Sequence, residues 1–388
     1  MNTARFKLAD PLVFWIALAL STVGVLMAFD SMYSQSIARG NGVVPPEFRS
    51  QILPFLLAPA VFFLLSWVSA DWFNKIAWPF AVVVSVLLVA AMVPGLRYAR
   101  NGAERWVKLG PVIVQPSEFA KLAIILLLAF VLAQPTPKTE AKRQQNALMT
   151  IFSLLLVLVS VFWIDKEPDL GTAVIAGVCA VSAYWIAGVN AKVFAAGLAL
   201  VAIAIFYFVQ TEPYRLQRFI DHVHRWEPEK IRGSGFQSDI GSAALVSGGL
   251  TGRGLGQGIE KRRMPEASSD FVMATVGEES GLVGTIIIFG AMGFMVVRLA
   301  KSSSELAQGG DRYGAIVVGS VAAWIGFQGC LNLVQANGTI PPVGVPFPFV
   351  SSGGSSLLAL WMSLGICEAV LKRRPRPVLE QRSVEVLA

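Results

Sequence analysis

Apolar residues fall in about ten long runs that do not alternate, and this pattern limits the chain to one kind of fold. The runs cover residues 11–29, 52–70, 76–93, 119–132, 148–164, 170–187, 193–209, 271–299, 315–334 and 355–370. A hydrocarbon core about 30 Å thick takes about 20 helical residues to cross. No water reaches the backbone there, so each run must satisfy its own N–H and C=O groups, as a helix does. A barrel strand would be about half as long and would alternate. The expectation is an all-α, polytopic integral membrane protein of about ten transmembrane helices. Composition agrees, with 54% hydrophobic and 15% charged residues and a mean hydropathy of +0.60, where a soluble domain carries about a quarter charged. The run 119–132 gains a turn if it begins at Pro116, a favoured first helical position. Glu278 and Glu279 leave the start of the run 271–299 open.

Lys and Arg set the orientation. With the N-terminus inside, the inner segments hold 15 of the 32 basic residues and the short outer segments 8. The rest lie in the connection 210–270, too long for the positive-inside rule to apply. Ten spans then put both termini in the cytoplasm and that connection outside, between the seventh and eighth helices. Residues 1–371 read as one transmembrane domain, and 372–388, charged and Pro-containing, as a disordered cytoplasmic tail. The net charge of +7 follows from this bias and calls for no nucleic acid. Arg5 and Lys7 precede an apolar run, but one too long for a signal peptide and with no cleavage site after it, so it is read as the first span. Cys179, Cys330 and Cys367 all fall within expected spans, an odd number that is neither a disulfide framework nor a metal cluster. There is no HExxH, GxSxG or P-loop, and the Gly-rich run 252–258 lacks the strand and helix of a dinucleotide fingerprint.

Polar groups at membrane depth are costly and invite functional readings. Four clusters stand out, all on the outer side of this topology. The first holds Glu104-Arg105-Trp106, Gln115-Pro116-Ser117-Glu118 and Lys121. Glu118 and Lys121, three apart, share a helix face and can pair, either as a structural ion pair or in contact with substrate. The second is 165–172, where Asp169 stands at a helix start as a plain cap or a site carboxylate. The third is the long connection, whose nine basic residues, among them Arg215, Arg218 and Lys261, are interleaved with eight acidic ones. Its end delivers Asp270 to the mouth of the eighth helix, where a partly desolvated carboxylate can serve as a general base or cap the helix. The fourth, 341–356, is a rigid extended stretch opening into a helix start. Its hydroxyls and backbone donors, Ser351 and Ser355 among them, suit an anionic group such as a phosphate, or a capped interfacial turn.

Taken in order, these clusters resemble the SEDS family of bacteria, the RodA, FtsW and SpoVE proteins. The resemblance is carried by Arg105-Trp106, Gln115-Pro116-Ser117-Glu118 with Lys121, Pro168-Asp169-Leu170-Gly171-Thr172 and Ser247-Gly248-Gly249 through Gly254-Leu255-Gly256. It continues through Pro265-Glu266, Asp270-Phe271, Glu278-Glu279, Gly281-Leu282 through Gly284, and Pro348-Phe349 to Ser356. Two departures stand against it. Ser268 and Ser269 replace the family's usual His-Thr before the aspartate, and Ser352 replaces a Tyr. Glu266-Ala267 and Lys261 look like the division branch, and Gly344-Val345-Pro346 like the elongation branch.

The resemblance implies a peptidoglycan glycosyltransferase of the bacterial cytoplasmic (inner) membrane. It would polymerise lipid II at the outer face and release undecaprenyl diphosphate, in elongation or division. Asp270 falls on the family's proposed base, Glu118 and Lys121 on central-cavity positions and Asp169 on another position of its pattern. Arg215, Arg218 and Lys261 are assigned to diphosphate or glycan contact. Expected partners are lipid II, the nascent glycan strand, membrane lipid and a class B penicillin-binding protein. No cofactor is evident, although a divalent cation (Mg or Mn) bridging diphosphate would leave little trace in sequence. A lipid II flippase and a non-catalytic scaffold for a penicillin-binding protein are the competing readings.

Overall fold

The computed structural model describes residues 8–373, apart from 39–44, 101–102, 111, 136–138, 168, 226 and 228–235. Arg5, Lys7, Pro168 and residues 374–388 of the expected tail therefore lie outside the described residues. In chain order the described helices are α1 (Pro11–Ala38), α2 (Pro46–Ser66), α3 (Ala70–Ala90), α4 (Pro116–Leu132), α5 (Glu140–Lys166) and α6 (Leu170–Ile186). They continue as α7 (Ala191–Thr211), α8 (Pro213–Val223), α9 (Phe236–Gly248), α10 (Val272–Gln308), α11 (Arg312–Ala336) and α12 (Gly354–Leu371). All but α8 and α9 coincide with the apolar runs. Six of them, α1, α3, α5, α10, α11 and α12, are long and apolar enough to cross a membrane, and parts of α2 and α6 form shorter apolar helices. The chain is a multi-pass, all-α membrane protein.

Burial sorts the helices into centre and rim. The spanning windows of α11 and α12 are 72% and 78% buried, against 22% for α5 and α10. Helix α4 is buried along nearly its whole length, from Pro116 to Val131. It packs against α3, α6, α11 and α12. Its start at Pro116, with Gln115 as the preceding cap, matches the expected extra turn.

Three features differ from the sequence expectation. A small antiparallel sheet, β1 (Arg97–Arg100), β2 (Ala103–Leu109) and β3 (Val112–Val114), fills the connection before α4. Its strands are too short and too charged to register as a periodic pattern. The long connection between α7 and α10 holds α8, α9 and a 3-10 turn at Glu260–Arg262. Helix α10 is not one continuous span from 271 to 299. It is broken at Gly281, whose φ of 68° only glycine adopts readily.

That break is filled by chain from the long connection. Leu282 N donates to Gly249 O (2.9 Å) and Val283 N to Leu250 O (3.1 Å), while Arg253 N and Gly254 N donate to Glu278 O and Glu279 O (3.0 Å each). Backbone groups freed by a helix break need such partners when buried. The Gly-rich run therefore closes a broken helix. The carboxylates of Glu278 and Glu279 complete the junction. Glu278 accepts from the N–H groups of Ile259 (2.6 Å), Glu260 (2.9 Å) and Lys261 (3.3 Å), and Glu279 from Gly258 N (3.3 Å).

Candidate functional site

Asp270 sits between the 3-10 turn and α10, on a tight turn at residues 265–271. Glu266 O accepts from both Ser269 N and Phe271 N at 3.1 Å, which winds the turn around one carbonyl. Glu266 itself has φ 55°, and Phe349 in the facing turn has φ 66°. Among the described residues these are the only non-glycine positions with left-handed backbone. Such strain costs about 1–3 kcal/mol per residue and persists only where surroundings enforce it.

The enforcement comes from two amides on α11. Asn332 Nδ2 donates to Asp270 O (2.8 Å) and to Val345 O (2.7 Å), and Gln335 Nε2 donates to the same two carbonyls at 2.8 and 2.9 Å. Each side-chain amide has two hydrogens, so each bridges the Asp270 turn to the 343–350 segment. Gln335 Oε1 also accepts from Val343 N (3.1 Å). Across the junction, Ser351 Oγ donates to Ser269 O (2.5 Å) and accepts from Phe347 N (2.6 Å). Sequence reading missed Asn332 and Gln335 as positioning residues, although Gln328, Asn332 and Gln335 fall at i, i+4 and i+7 on one helical face.

A cavity of about 2020 Å³ opens beside this turn. Its wall includes Asp270, Glu266, Glu118, Ser355, Arg105, Arg215 and Arg218. Small-molecule pockets are commonly about 300–1,000 Å³, and this cavity is larger. Two functional groups converge at Gly344, where an added side-chain carbon would stand 3.7 Å from Asp270 Oδ2 and 3.9 Å from Arg105 Nη1. Gly344 has φ 71°, which glycine tolerates. The cap reading of Asp270 does not hold, since the cap position of α10 is Phe271 and no side chain caps it. Burial first, then the negative charges of Glu266 and Asp169, push the Asp270 carboxyl up to about 7, with Arg105 and Arg218 pulling the other way. A carboxylate tuned near neutrality is fitted to general-base work.

Around it the remaining expected residues take distinct roles. Glu118 is buried and pairs with Lys121 at 2.9 Å. Lys121 Nζ also donates to Gln328 Oε1 (3.2 Å) and lies 4.8 Å from the centre of the Trp324 ring. Gln328 in turn accepts from Trp324 Nε1 (2.7 Å) and donates to Pro346 O (2.9 Å). The pair is thus tied through one amide to the segment facing Asp270. Asp169 caps α6 and pairs with an arginine of the cavity wall. It accepts from Thr172 N (3.1 Å) and pairs with Arg105 Nη1 at 3.5 Å. Ser355 does not cap α12, and its Oγ accepts from Gln115 N (3.0 Å) across to α4. Gln115 Nε2 reaches Asp169 Oδ2 at 3.4 Å, closing the ring of elements. Helix α8 turns Arg215, Arg218 and Phe219 to the cavity and leaves Ile220 and Val223 exposed. Arg215 pairs with Asp165 and donates to its carbonyl (2.8 Å), and Arg218 Nη1 donates to Pro342 O (2.9 Å).

Two expected contact residues lie off the cavity wall. Lys261 is fully buried outside the cavity wall and is bound by two carboxylates, Asp30 of α1 and Glu279 of α10. Its charge is engaged at the junction. Ser351 is likewise not on the cavity wall, because its hydroxyl is engaged between Phe347 N and Ser269 O. Among the described residues no group of three or more His, Cys, Asp and Glu is arranged to hold a metal.

Fold and site together define a multi-pass membrane protein with a carboxylate-centred, arginine-lined cavity. The profile of the FtsW/RodA/SpoVE family, described as cell cycle protein, matches residues 11–375, and the chain belongs to that family. It is 31% identical over 94% of its length to the probable peptidoglycan glycosyltransferase FtsW of Haemophilus influenzae, covering 90% of that protein. It is 32% identical to stage V sporulation protein E of Bacillus subtilis, with 94% and 97% of the two chains covered. Among solved structures, a chain of a peptidoglycan synthase complex that couples polymerization and crosslinking superposes with a TM-score of 0.71 at 25% identity, covering 94% of this chain and 98% of that one. The rod shape determining protein RodA of Thermus thermophilus shares the fold, with a TM-score of 0.66 at 23% identity and coverage of 95% and 98%.

Proposed function

We infer that the chain is a peptidoglycan glycosyltransferase that polymerises lipid II at the outer face of the bacterial cytoplasmic membrane. One observation carries the reading. Asp270, raised toward neutrality, is held by two amides at the wall of a large cavity that also bears Arg105, Arg215 and Arg218. In the reaction an acceptor sugar hydroxyl attacks the anomeric carbon of a lipid-linked donor. Its proton passes to Asp270, the anomeric C–O bond to diphosphate breaks, and the electron pair leaves on undecaprenyl diphosphate. The arginines meet charge that grows on the leaving group in the transition state, where such stabilisation is worth most. Glu118–Lys121 and Asp169 brace the site through Gln328 and Arg105. A divalent cation, Mg or Mn, would travel with the diphosphate oxygens.

The assignment includes ten spans with both termini cytoplasmic and the 210–270 connection outside, and a class B penicillin-binding protein as partner. The synthase-complex neighbour supports the partner, and the charge bias across the short loops supports the orientation. The test is incubation of the purified chain with lipid II in detergent, with and without a partner transpeptidase. Glycan polymer from either mixture, absent without the chain, is expected. Lipid II movement across vesicles without polymer would mean a flippase, and neither activity would leave a scaffold.

A further inference from the structure

Helix α8 and the residue pair that follows it are hooked at two points to the connection running from α11 toward Gly344. Arg218 Nη1 donates to Pro342 O (2.9 Å), and Arg225 Nη1, just past the helix end, donates to Gly338 O (2.8 Å). The order is antiparallel, 218 with 342 and 225 with 338. Arg215, Arg218 and His222 fall at i, i+3 and i+7, so they share one face of α8. Arg215 and Arg218 stand on the cavity wall, and His222 is buried nearer the second hook.

The second hook depends on the state of that imidazole. His222 Nε2 lies 2.8 Å from Arg225 Nη1, and a guanidinium has only hydrogens to offer. The ring nitrogen must therefore accept, so the contact exists only while Nε2 carries no proton. Facing the ring are Arg225, Ser238 (Oγ to Nδ1, 3.5 Å) and Asp239 of α9, and the backbone of Thr339. Asp239 also pairs with Arg225 at 3.8 Å. Burial first, then the charge of Arg225, hold the imidazole below its ordinary value of 6.5, with Thr339 and Asp239 pulling the other way. A proton on Nε2 would set N–H against N–H and one positive charge against another. Arg225 would have to withdraw, and Gly338 O would lose its donor.

We propose that neutral His222 is a positioning residue that clamps Arg225 to the 338–342 connection and so keeps the arginine face of α8 turned to the lipid diphosphate. The use of that face rests on the glycosyl transfer proposed above, whereas the clamp does not. The test compares the full chain in detergent as wild type, H222Q and H222K at about pH 8 and roughly pH 4.5, either side of the ordinary imidazole range. Glutamine keeps an accepting oxygen that does not titrate, and lysine carries a fixed charge. Amide exchange over residues 213–225, expressed as protection factors, reads the clamp. Wild type should lose protection by about tenfold on acidification, the size of one charged hydrogen bond. H222Q should keep it at both pH values, and H222K should lack it even at about pH 8. No acid loss in wild type, or an equal loss in H222Q, would overturn the proposal. In lipid II polymerisation KM should rise with acid in wild type but not in H222Q, while protonation of Asp270 lowers kcat in both. A KM that moves alike in the two proteins would overturn the positioning role. If none of the proteins makes polymer, glycosyl transfer is what fails, and the exchange comparison alone then decides the clamp.

Discussion

At the scale of single residues the proposed chemistry turns on Asp270, and asparagine is its sharpest probe. Asp270→Asn keeps the shape but removes the proton acceptor, so polymerisation of lipid II should fall roughly 10²- to 10⁴-fold, the usual worth of a positioned general base. Wild-type turnover should rise with pH through about 7 as the carboxyl ionises. The same shift bears on stability with a definite sign. The folded chain keeps this proton between its free value of 3.8 and about 7, where the unfolded chain has released it. Stability therefore drops as pH rises through that window. The asparagine variant should melt above the wild type at about pH 8, and the two should converge below about pH 4. Near-normal polymer from the variant, or a melting gap independent of pH, would remove Asp270 from the mechanism. Glu118→Ala and Lys121→Ala should each lower activity, and the double change should lower it by less than the two combined. Each alone strands a buried charge that the 2.9 Å pair now neutralises. Strictly additive losses would show that the two are not coupled. Asp270, Glu118, Lys121 and Asp169 were legible because each sits in a dense polar motif at an apolar boundary. Lys261 looked alike in sequence, yet its partner Asp30 lies 231 residues away, a pairing no local pattern reveals.

At the scale of elements the break in α10 is the feature with most leverage. A Cβ at Gly281 would run into Gly252 N and Leu250 O, so alanine must push away the segment that fills the break. Gly281→Ala should destabilise by more than about 1 kcal/mol, since its φ is positive and its space is taken. Gly290→Ala, in the same helix with nothing within 4 Å, should be neutral or stabilising by up to about 1 kcal/mol. Thermal unfolding of the two variants in detergent decides this, and equal melting points would deny the break any structural weight. The helices were readable because length and apolarity alone identify a span. The break was not, because glycine is common in membrane helices and its consequence depends on chain about 30 residues away. The sheet before α4 was also hidden, since its pairings, such as Arg97 with Val107, involve charged residues without alternation.

At the scale of the whole molecule, charge bias across the short loops predicts the orientation. A tag at Ala388 should be cytoplasmic and one near Glu229 extracytoplasmic, although both positions lie outside the described residues. Cysteine accessibility in intact cells reads this directly, and labelling that finds Glu229 inside would invert every assignment of the cavity to the outer face. One feature at the opposite end from the cavity bears on how the chain is made. Glu368, near the end of α12, accepts from Ala9 N at 2.5 Å and Asp10 N at 3.4 Å, just ahead of α1, and Arg298 of α10 pairs with Asp10 at 2.9 Å. The entry to the first helix is thus closed by a residue synthesised 359 positions later. At about 5–20 residues per second, α1 waits roughly 20–70 s in the bilayer with its leading amides unpartnered. The junction that closes the start of α1 can therefore form only once α12 has been made.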